Sequence, residues 1–271
     1  MLIPKVIHYC WFGNEKLPTS LMNCMKTWEQ HLPEFKLKRW DESSFDVSSV
    51  PFVWQAYQLK KWAFVADYVR FYALYVDGGL YMDTDVKVLK AFPSEWFDNQ
   101  FFTAHEVQSR FFETKNLENQ HLPSSEEVCY DGINMLSAVM ASTKHHPFVR
   151  DCRNWYEGEA FLDSLGRIRP IEEIIIGRVL AKVASEYGYI AKHVEQHLSH
   201  NILVLTANVL SGNSLHQDEH TYAIHLVDGS WHDRNFFNRA IRELGGAYPA
   251  LQPVLNVIVK AGRKLLGVLS K

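Results

Sequence analysis

Two aspartates one residue apart, Asp83 and Asp85, close the stretch Asp77-Gly78-Gly79-Leu80-Tyr81-Met82-Asp83-Thr84-Asp85. A helical segment, a glycine pair and a short apolar strand come before them, which sets both carboxylates at the end of a strand. Hard cations such as Mg²⁺ and Mn²⁺ take oxygen ligands and are bound by one or two carboxylates together with substrate phosphates. The chemistry this arrangement suits is a divalent cation held against the diphosphate of a nucleotide. Two acids this close resist joint ionisation unless a cation lies between them. The spacing alone specifies little, because an Asp-x-Asp arises by chance on the order of once in a chain of this length. The residues before it carry the weight.

One turn of the preceding helix holds Asp67 and Arg70, at i and i+3 on one face, among Trp62, Phe64, Val65, Val69, Phe71 and Leu74. Charged groups in so apolar a turn need a partner or a task. The pair is either a structural ion pair or two hydrogen-bonding groups aimed into a pocket.

The elements that must position these groups follow from the pattern. A buried strand is expected over 3–9, a helix over 18–30 opened by Thr19 or Ser20, and a second strand over 35–40. One long helix is expected over 52–76, stopped by Gly78 and Gly79, then a strand at 80–82 that resumes at 86–89. This βαβ alternation predicts an α/β fold with a parallel sheet, and ligands of such sheets sit at the carboxyl ends of the strands. Trp11, Asp41 and the Asp83/Asp85 pair all fall there. Further on, helices are expected over 134–141, 147–155 and 171–187, strands over 202–205 and 222–226, and a loop over 106–128.

With 271 residues, 47% of them apolar and 13% aromatic, the chain has the means for one sizeable core. A formal net charge of −3 argues against a nucleic-acid partner. The four cysteines, Cys10, Cys24, Cys129 and Cys152, are widely spaced, which disfavours a zinc site or a disulfide framework and suits a reducing compartment. No leader pattern and no long apolar run stand out, so a cytoplasmic location is expected. The charge is uneven. From Arg234 onward seven Lys/Arg face one acid, a net of +6, which leaves −9 on residues 1–233. On a helical wheel, residues 251–271 place Val254, Leu255, Ile258, Leu265 and Leu269 on one arc and Lys260, Arg263, Lys264 and Lys271 on the other. Such a basic amphipathic helix either lies on an anionic membrane surface, at the inner face of the plasma membrane, or packs on the protein's own core. The chain thus divides into a main domain, 1–233, and a basic helical tail, 234–271.

Three linked segments resemble glycosyltransferase family 32, which includes yeast outer-chain mannosyltransferases and bacterial capsular and lipopolysaccharide sugar transferases. They are Ile3-Pro4-Lys5-Val6-Ile7-His8-Tyr9-Cys10-Trp11-Phe12-Gly13, then Lys61 to Arg70 with its D-x-x-R, then Gly78-Gly79-Leu80-Tyr81-Met82-Asp83-Thr84-Asp85. The last segment is also similar to the catalytic domain of the large clostridial glucosylating toxins. The resemblance covers about residues 3–90, with a weaker echo at His225 to Trp231.

It implies a GT-A type fold, a Rossmann-like mixed sheet flanked by helices, with a nucleotide-sugar donor and Mn²⁺ or Mg²⁺ as cofactor. It also implies transfer with retention to a saccharide or lipid-linked saccharide acceptor in cell-surface polysaccharide or glycolipid synthesis, and favours a UDP-sugar. Residue by residue, Trp11 would stack on the donor base, Asp67 and Arg70 would hold the donor sugar, and Tyr81 would pack under the sugar or ribose unless it is a plain strand aromatic. Asp83 would face the ribose or a metal-bound water, and Asp85 would bind the metal. His225, one of thirteen histidines, is the candidate third ligand, with Ser230 or Trp231 touching the diphosphate. The chain departs from the family at Arg169-Pro170-Ile171-Glu172-Glu173, where a Thr-Gly-Pro turn is usual, so Glu172 or Glu173 could reach the acceptor. Asp131 and Asn134 fall where sugar hydroxyls are often contacted. Two other classes stay open: a metal-dependent nucleotidyltransferase or phosphohydrolase, and a non-catalytic sugar-nucleotide-binding or glycan-binding paralogue.

Overall fold

The computed structural model describes residues 2–107, 133–210 and 218–226. The N-terminal elements are β1 (Val6–Cys10), α1 (Thr19–His31), β2 (Lys36–Trp40), α2 (Pro51–Gln58), α3 (Trp62–Asp77), β3 (Gly79–Met82) and β4 (Val86–Val88). There follow β5 (Phe101–Val107), β6 (Ile133–Met135), β7 (Val139–Ser142), α4 (Pro147–Glu157), α5 (Ile171–Ile174), α6 (Ile176–Ser185), β8 (Gln196–Leu198), β9 (Ile202–Leu205), α7 (Ala207–Leu210) and β10 (Ala223–His225).

The main sheet runs β2-β1-β3-β7-β5-β9-β8, with β6 paired to β5. β1 is parallel to β2 and β3, as the βαβ alternation requires. β7 is antiparallel to both of its neighbours, β3 and β5, so the sheet is mixed rather than parallel. Apolar cores form on both faces. One takes α2, α3, α4 and α6 around Phe52, Val69, Phe148 and Leu180. The other takes α1 and β4 around Trp28, Val86 and Phe102. β4 and β10 pair antiparallel as a separate two-stranded ribbon. It is tied to α1: the fully buried Trp28 donates its indole N–H to Val86 O (2.8 Å), and the Val88 amide donates to Thr27 Oγ1 (2.9 Å).

Where apolar runs are buried on every side, periodicity cannot separate helix from strand. The segment expected as a helix over 134–141 is instead parts of β6 and β7, whose residues are almost all inaccessible. β5, buried nearly throughout though it carries Thr103, His105 and Glu106, likewise shows no clean alternation. The helix expected over 52–76 is two helices. α2 ends with Lys60 in the left-handed region (φ 56°), while Lys60 N donates to Tyr57 O and Lys61 N to Ala56 O, both at 2.9 Å. That is the paired bonding of a Schellman stop, made here without the glycine that usually marks it. The helix expected over 171–187 breaks at Ile175, which is extended (ψ 128°). The tail 234–271, with its amphipathic segment, lies outside the described residues.

The glycine pair between α3 and β3 does more than end a helix. Gly78 and Gly79 have φ of 68° and 109°, conformations that glycine alone adopts without strain. A Cβ on Gly79 would sit 2.5 Å from Val6 Cγ1 and 2.7 Å from Val6 O. The fully buried His8 locks the turn from β1: its Nε2–H donates to Gly78 O (2.7 Å) and its Nδ1 accepts from the Trp40 indole (3.0 Å). Burial lowers the His8 pKa, which keeps the ring neutral for this role. Gly79→Ala is expected to destabilise the protein by on the order of 2–4 kcal/mol through combined strain and overpacking. Denaturant unfolding of the variant checks this, and a loss below about 0.5 kcal/mol would contradict it.

Candidate functional site

The site is built where β1, β3 and the β4–β10 ribbon end together. In the parallel register His8 lies opposite Tyr81, so Trp11 and Asp83 to Asp85 reach the same carboxyl edge of the sheet. The Asp83 amide donates to Ala138 O (2.9 Å) and Val86 N donates to Asp83 O (2.9 Å), which folds residues 83–86 into a tight turn. Both acids are thereby aimed from a fixed backbone.

Beneath them lies Arg70, 3% exposed. Its Nη2 donates to Asp67 Oδ1 (2.8 Å), its Nη1 to Ser137 O (2.9 Å) and to Asp83 Oδ2 (3.3 Å), and its Nε to Ala66 O (3.2 Å). The guanidinium also lies 4.7 Å from the centroid of the Tyr81 ring, within cation–π range. Burial works against the charge on Arg70, but Asp83, Tyr81 and Asp67 overcome it and hold its pKa above the ordinary value. Tyr81, 1% exposed, donates its hydroxyl to Asp83 Oδ1 at 2.8 Å. Both Asp83 oxygens are thus oriented from below, one by Tyr81 and one by Arg70.

Arg70 lies over the Tyr81 ring, and the Tyr81 hydroxyl fixes Asp83. Asp67 and Arg70 form a buried ion pair, and Arg70 donates to Asp67, Asp83 and the carbonyls of Ser137 and Ala66.

His225 reaches the acids through chain pairing. β10 places it directly opposite Val86, one residue beyond Asp85, and Leu226 N donates to Asp85 O (3.2 Å). Its Nε2 is 3.4 Å from Asp85 Oδ1 and its Nδ1 3.7 Å from Glu106 Oε1. Burial disfavours an imidazolium here, yet Asp85 and then Glu106 outweigh it and hold the pKa well above the ordinary histidine value. Asp83, Asp85 and His225 each offer a ligand atom, all within 4.8 Å of one another. Two carboxylates and one imidazole on a strand edge, with a half-buried opening, fit a divalent ion with mixed oxygen and nitrogen ligands, as Mn²⁺ accepts.

Trp11 is half-buried. Its amide donates to Trp40 O (2.9 Å) and its indole N–H to Glu15 O (2.7 Å), so the ring is held by its own loop. Beside that loop a cleft of about 670 Å³ runs between Gly13 to Leu17 and Arg39 to Ser43 at the ends of β1 and β2. Asp41 lines it, in an ion pair with Arg39 (2.8 Å). Asn134 sits on β6 directly across from Glu106, with its Oδ1 buried and unpartnered. Glu173 is engaged with Arg169, which also bonds Glu159, and Glu172 is exposed beside it. Ser230, Trp231 and Asp131 lie outside the described residues. Sequence reasoning passed over Glu106 and the carbonyl of Ser137. Neither belongs to a motif, and only strand pairing brings them to the site.

Residues 18–103, about a third of the chain, match the family described as "Glycosyltransferase sugar-binding region containing DXD motif". Over those residues the chain is similar to sugar-binding regions of the DXD class. In particular, the chain is similar to inositol phosphoceramide mannosyltransferase 3 of Schizosaccharomyces pombe, 33% identical over 88 residues. That match takes in 31% of this chain and 24% of the relative, so the chain spans about a quarter of that protein's length. Among solved structures it is similar to PaToxG glycosyltransferase, with a TM-score of 0.45, 15% identity and coverage of 68% and 70% of the two chains. It is also similar to a glycosyltransferase involved in the glycosylation of the major capsid of PBCV-1, with a TM-score of 0.42, 13% identity and coverage of 90% and 99%. The matched region includes Asp67, Arg70, Tyr81, Asp83 and Asp85, while Trp11 and His225 fall outside it.

Burial pushes the Asp67 carboxyl up to about 7, against the pull of Arg70 beside it. A carboxyl whose folded pKa lies above its unfolded value of about 3.9 binds more protons in the native state between those limits. Its contribution to stability is full below about pH 4 and is lost as the pH rises through about 7. Asp67→Asn removes that term. The stability of the wild-type protein relative to the variant is therefore expected to fall between about pH 4 and 7 and to level off outside that window. Urea unfolding of both proteins across the range tests this; a constant difference would refute it.

Proposed function

We propose that the chain is a metal-dependent glycosyltransferase of GT-A type that moves a sugar from a nucleoside-diphosphate donor to a saccharide. The observation that carries this reading is the convergence of Asp83, Asp85 and His225 on one strand edge, within the reach of a single ion, in a chain similar to DXD sugar-binding regions. Asp85 and His225 would hold Mn²⁺ or Mg²⁺ directly, with Asp83 beside them as a further ligand or as the partner of a bound water. The cation would supply neutralising charge to the departing diphosphate, a stabilisation of charge that develops during the reaction. Arg70 keeps Asp83 in a single orientation and adds fixed positive potential below the site. Asp67 keeps Arg70 in place.

Trp11 offers an aromatic face to the donor base at the same edge, and the adjoining cleft between the ends of β1 and β2 suits the nucleoside. Ser230 or Trp231, five and six residues beyond the end of β10, would touch the diphosphate. UDP-sugars are the favoured donors, and the resemblance to glycosyltransferase family 32 favours retention of the anomeric configuration, by a front-face attack that needs no protein nucleophile. The acceptor is a cell-surface or lipid-linked saccharide. The basic amphipathic stretch at 251–271 would keep the enzyme on the anionic inner face of the membrane.

The test is turnover of a panel of UDP-sugars with saccharide acceptors in the presence of Mn²⁺. Asp85→Ala is expected to lower it by at least about 100-fold, and chelation by EDTA to abolish it until Mn²⁺ is restored. Donor consumption that needs no sugar acceptor and yields no glycoside would favour a phosphohydrolase instead, and binding without turnover would favour a glycan-binding role. Removal of residues 251–271 is expected to weaken co-sedimentation with anionic vesicles while sparing donor hydrolysis. Unchanged sedimentation would remove the membrane assignment.

A further inference from the structure

Glu106 belongs to no motif and lies beyond the matched region, yet it is the second carboxylate beside His225. It stands near the end of β5, on the sheet face shared by Phe102 and Ala104 in alternation along the strand. Those two residues belong to the core that includes Val86 and Val88 of the ribbon. The pairing of β5 with β9 and β7 therefore points Glu106 toward β10 from the side opposite Asp85. His225 lies between the two acids, with Nε2 3.4 Å from Asp85 and Nδ1 3.7 Å from Glu106. Nδ1 is buried and makes no hydrogen bond at that distance, a condition that costs about 1–3 kcal/mol unless a partner closes. Glu106, whose side chain is 37% exposed, keeps the rotameric freedom to close it.

We propose that Glu106 is the positioning residue for His225, taking its Nδ1–H so that the Nε2 lone pair faces Asp85 and the divalent cation held there. The inference rests on the metal site of the proposed function. A neutral imidazole has two tautomers, and only the one protonated at Nδ1 presents Nε2 as a ligand. A carboxylate behind the ring selects that tautomer, fixes the ring plane and raises the basicity of the ligating nitrogen; loss of such partners lowers metal affinity by about 10–100-fold. Asp85 cannot do this, because it sits on the ligating side of the ring.

The experiment uses the full chain with Mn²⁺ alone. Free-ion electron paramagnetic resonance gives the affinity, and spin-echo ¹⁴N modulation reports an imidazole bound to Mn²⁺. Wild type is expected to show the modulation, and His225→Ala and Asp85→Ala to lose most of the binding. Glu106→Ala is expected to bind Mn²⁺ about 10–100-fold more weakly with reduced nitrogen modulation, while its metal-free melting temperature stays unchanged. Glu106→Gln, whose carboxamide oxygen can accept the same bond, recovers part of both readouts. Should the alanine variant fail to fold, Glu106→Asp, with its acceptor withdrawn by one methylene, is expected to show the same loss. Full affinity and full modulation in Glu106→Ala, or a Gln variant no better than Ala, overturns the assignment while Asp85→Ala still shows the metal site to be real. Binding unaffected by Asp85→Ala and His225→Ala overturns the metal site and this inference with it.

Discussion

A guanidinium sealed in an apolar turn must be answered by acceptors, and the answer given to Arg70 organises the site. Removing one member of such a buried pair costs about 3–5 kcal/mol, because the other is left charged and alone. Arg70 is therefore held by Asp67 from its own helix, by the carbonyl of Ser137 from the approach to β7, and by Asp83 from the turn after β3. Three separate segments are thus tied to one planar group with fixed donor directions. Asp83 gains an orientation from this that a free surface aspartate would lack, and the Tyr81 hydroxyl completes it.

The second constraint is the turn that delivers β3. Gly78 and Gly79 let the chain leave α3 and enter the sheet with no Cβ against Val6 or Lys144. His8 reads that turn from the neighbouring strand through Gly78 O and is itself held by Trp40. Strand β3 is only four residues long, so its register against β1 sets where Asp83 and Asp85 emerge relative to Trp11. Stiffness at the glycines becomes precision at the carboxylates.

The ribbon of β4 and β10 supplies what the N-terminal third cannot. A lone Asp-x-Asp leaves two like charges side by side, with Arg70 committed to Asp83. His225 brings a third group to Asp85 from residues far along the chain. The ribbon is anchored to α1 through Trp28 and Thr27, so the helix after β1, the acidic turn and the late strand form one mechanical unit. Glu106 approaches the same histidine from the main sheet.

Much of this was legible in order. The residue pattern named β1, α1, β2, β9 and β10, the glycine stop, and the acids at the carboxyl edge, because alternation, caps and glycines act over a few residues. It ran α2 and α3 together because Lys60 adopts the left-handed stop without any glycine to announce it. It read β6 and β7 as helix because a run inaccessible on both faces has no polar side to give a period. Residue types and spacing also determined that two acids would share a strand end and that an Asp–Arg pair would need partners. Only the tertiary structure decided that Arg70 turns to Asp83 and Ser137, that the Tyr81 hydroxyl bonds Asp83, and that His225 and Glu106 meet there. Those outcomes depend on which strands pair and in what register, and pairing joins residues more than a hundred positions apart through backbone hydrogen bonds that no local spacing encodes.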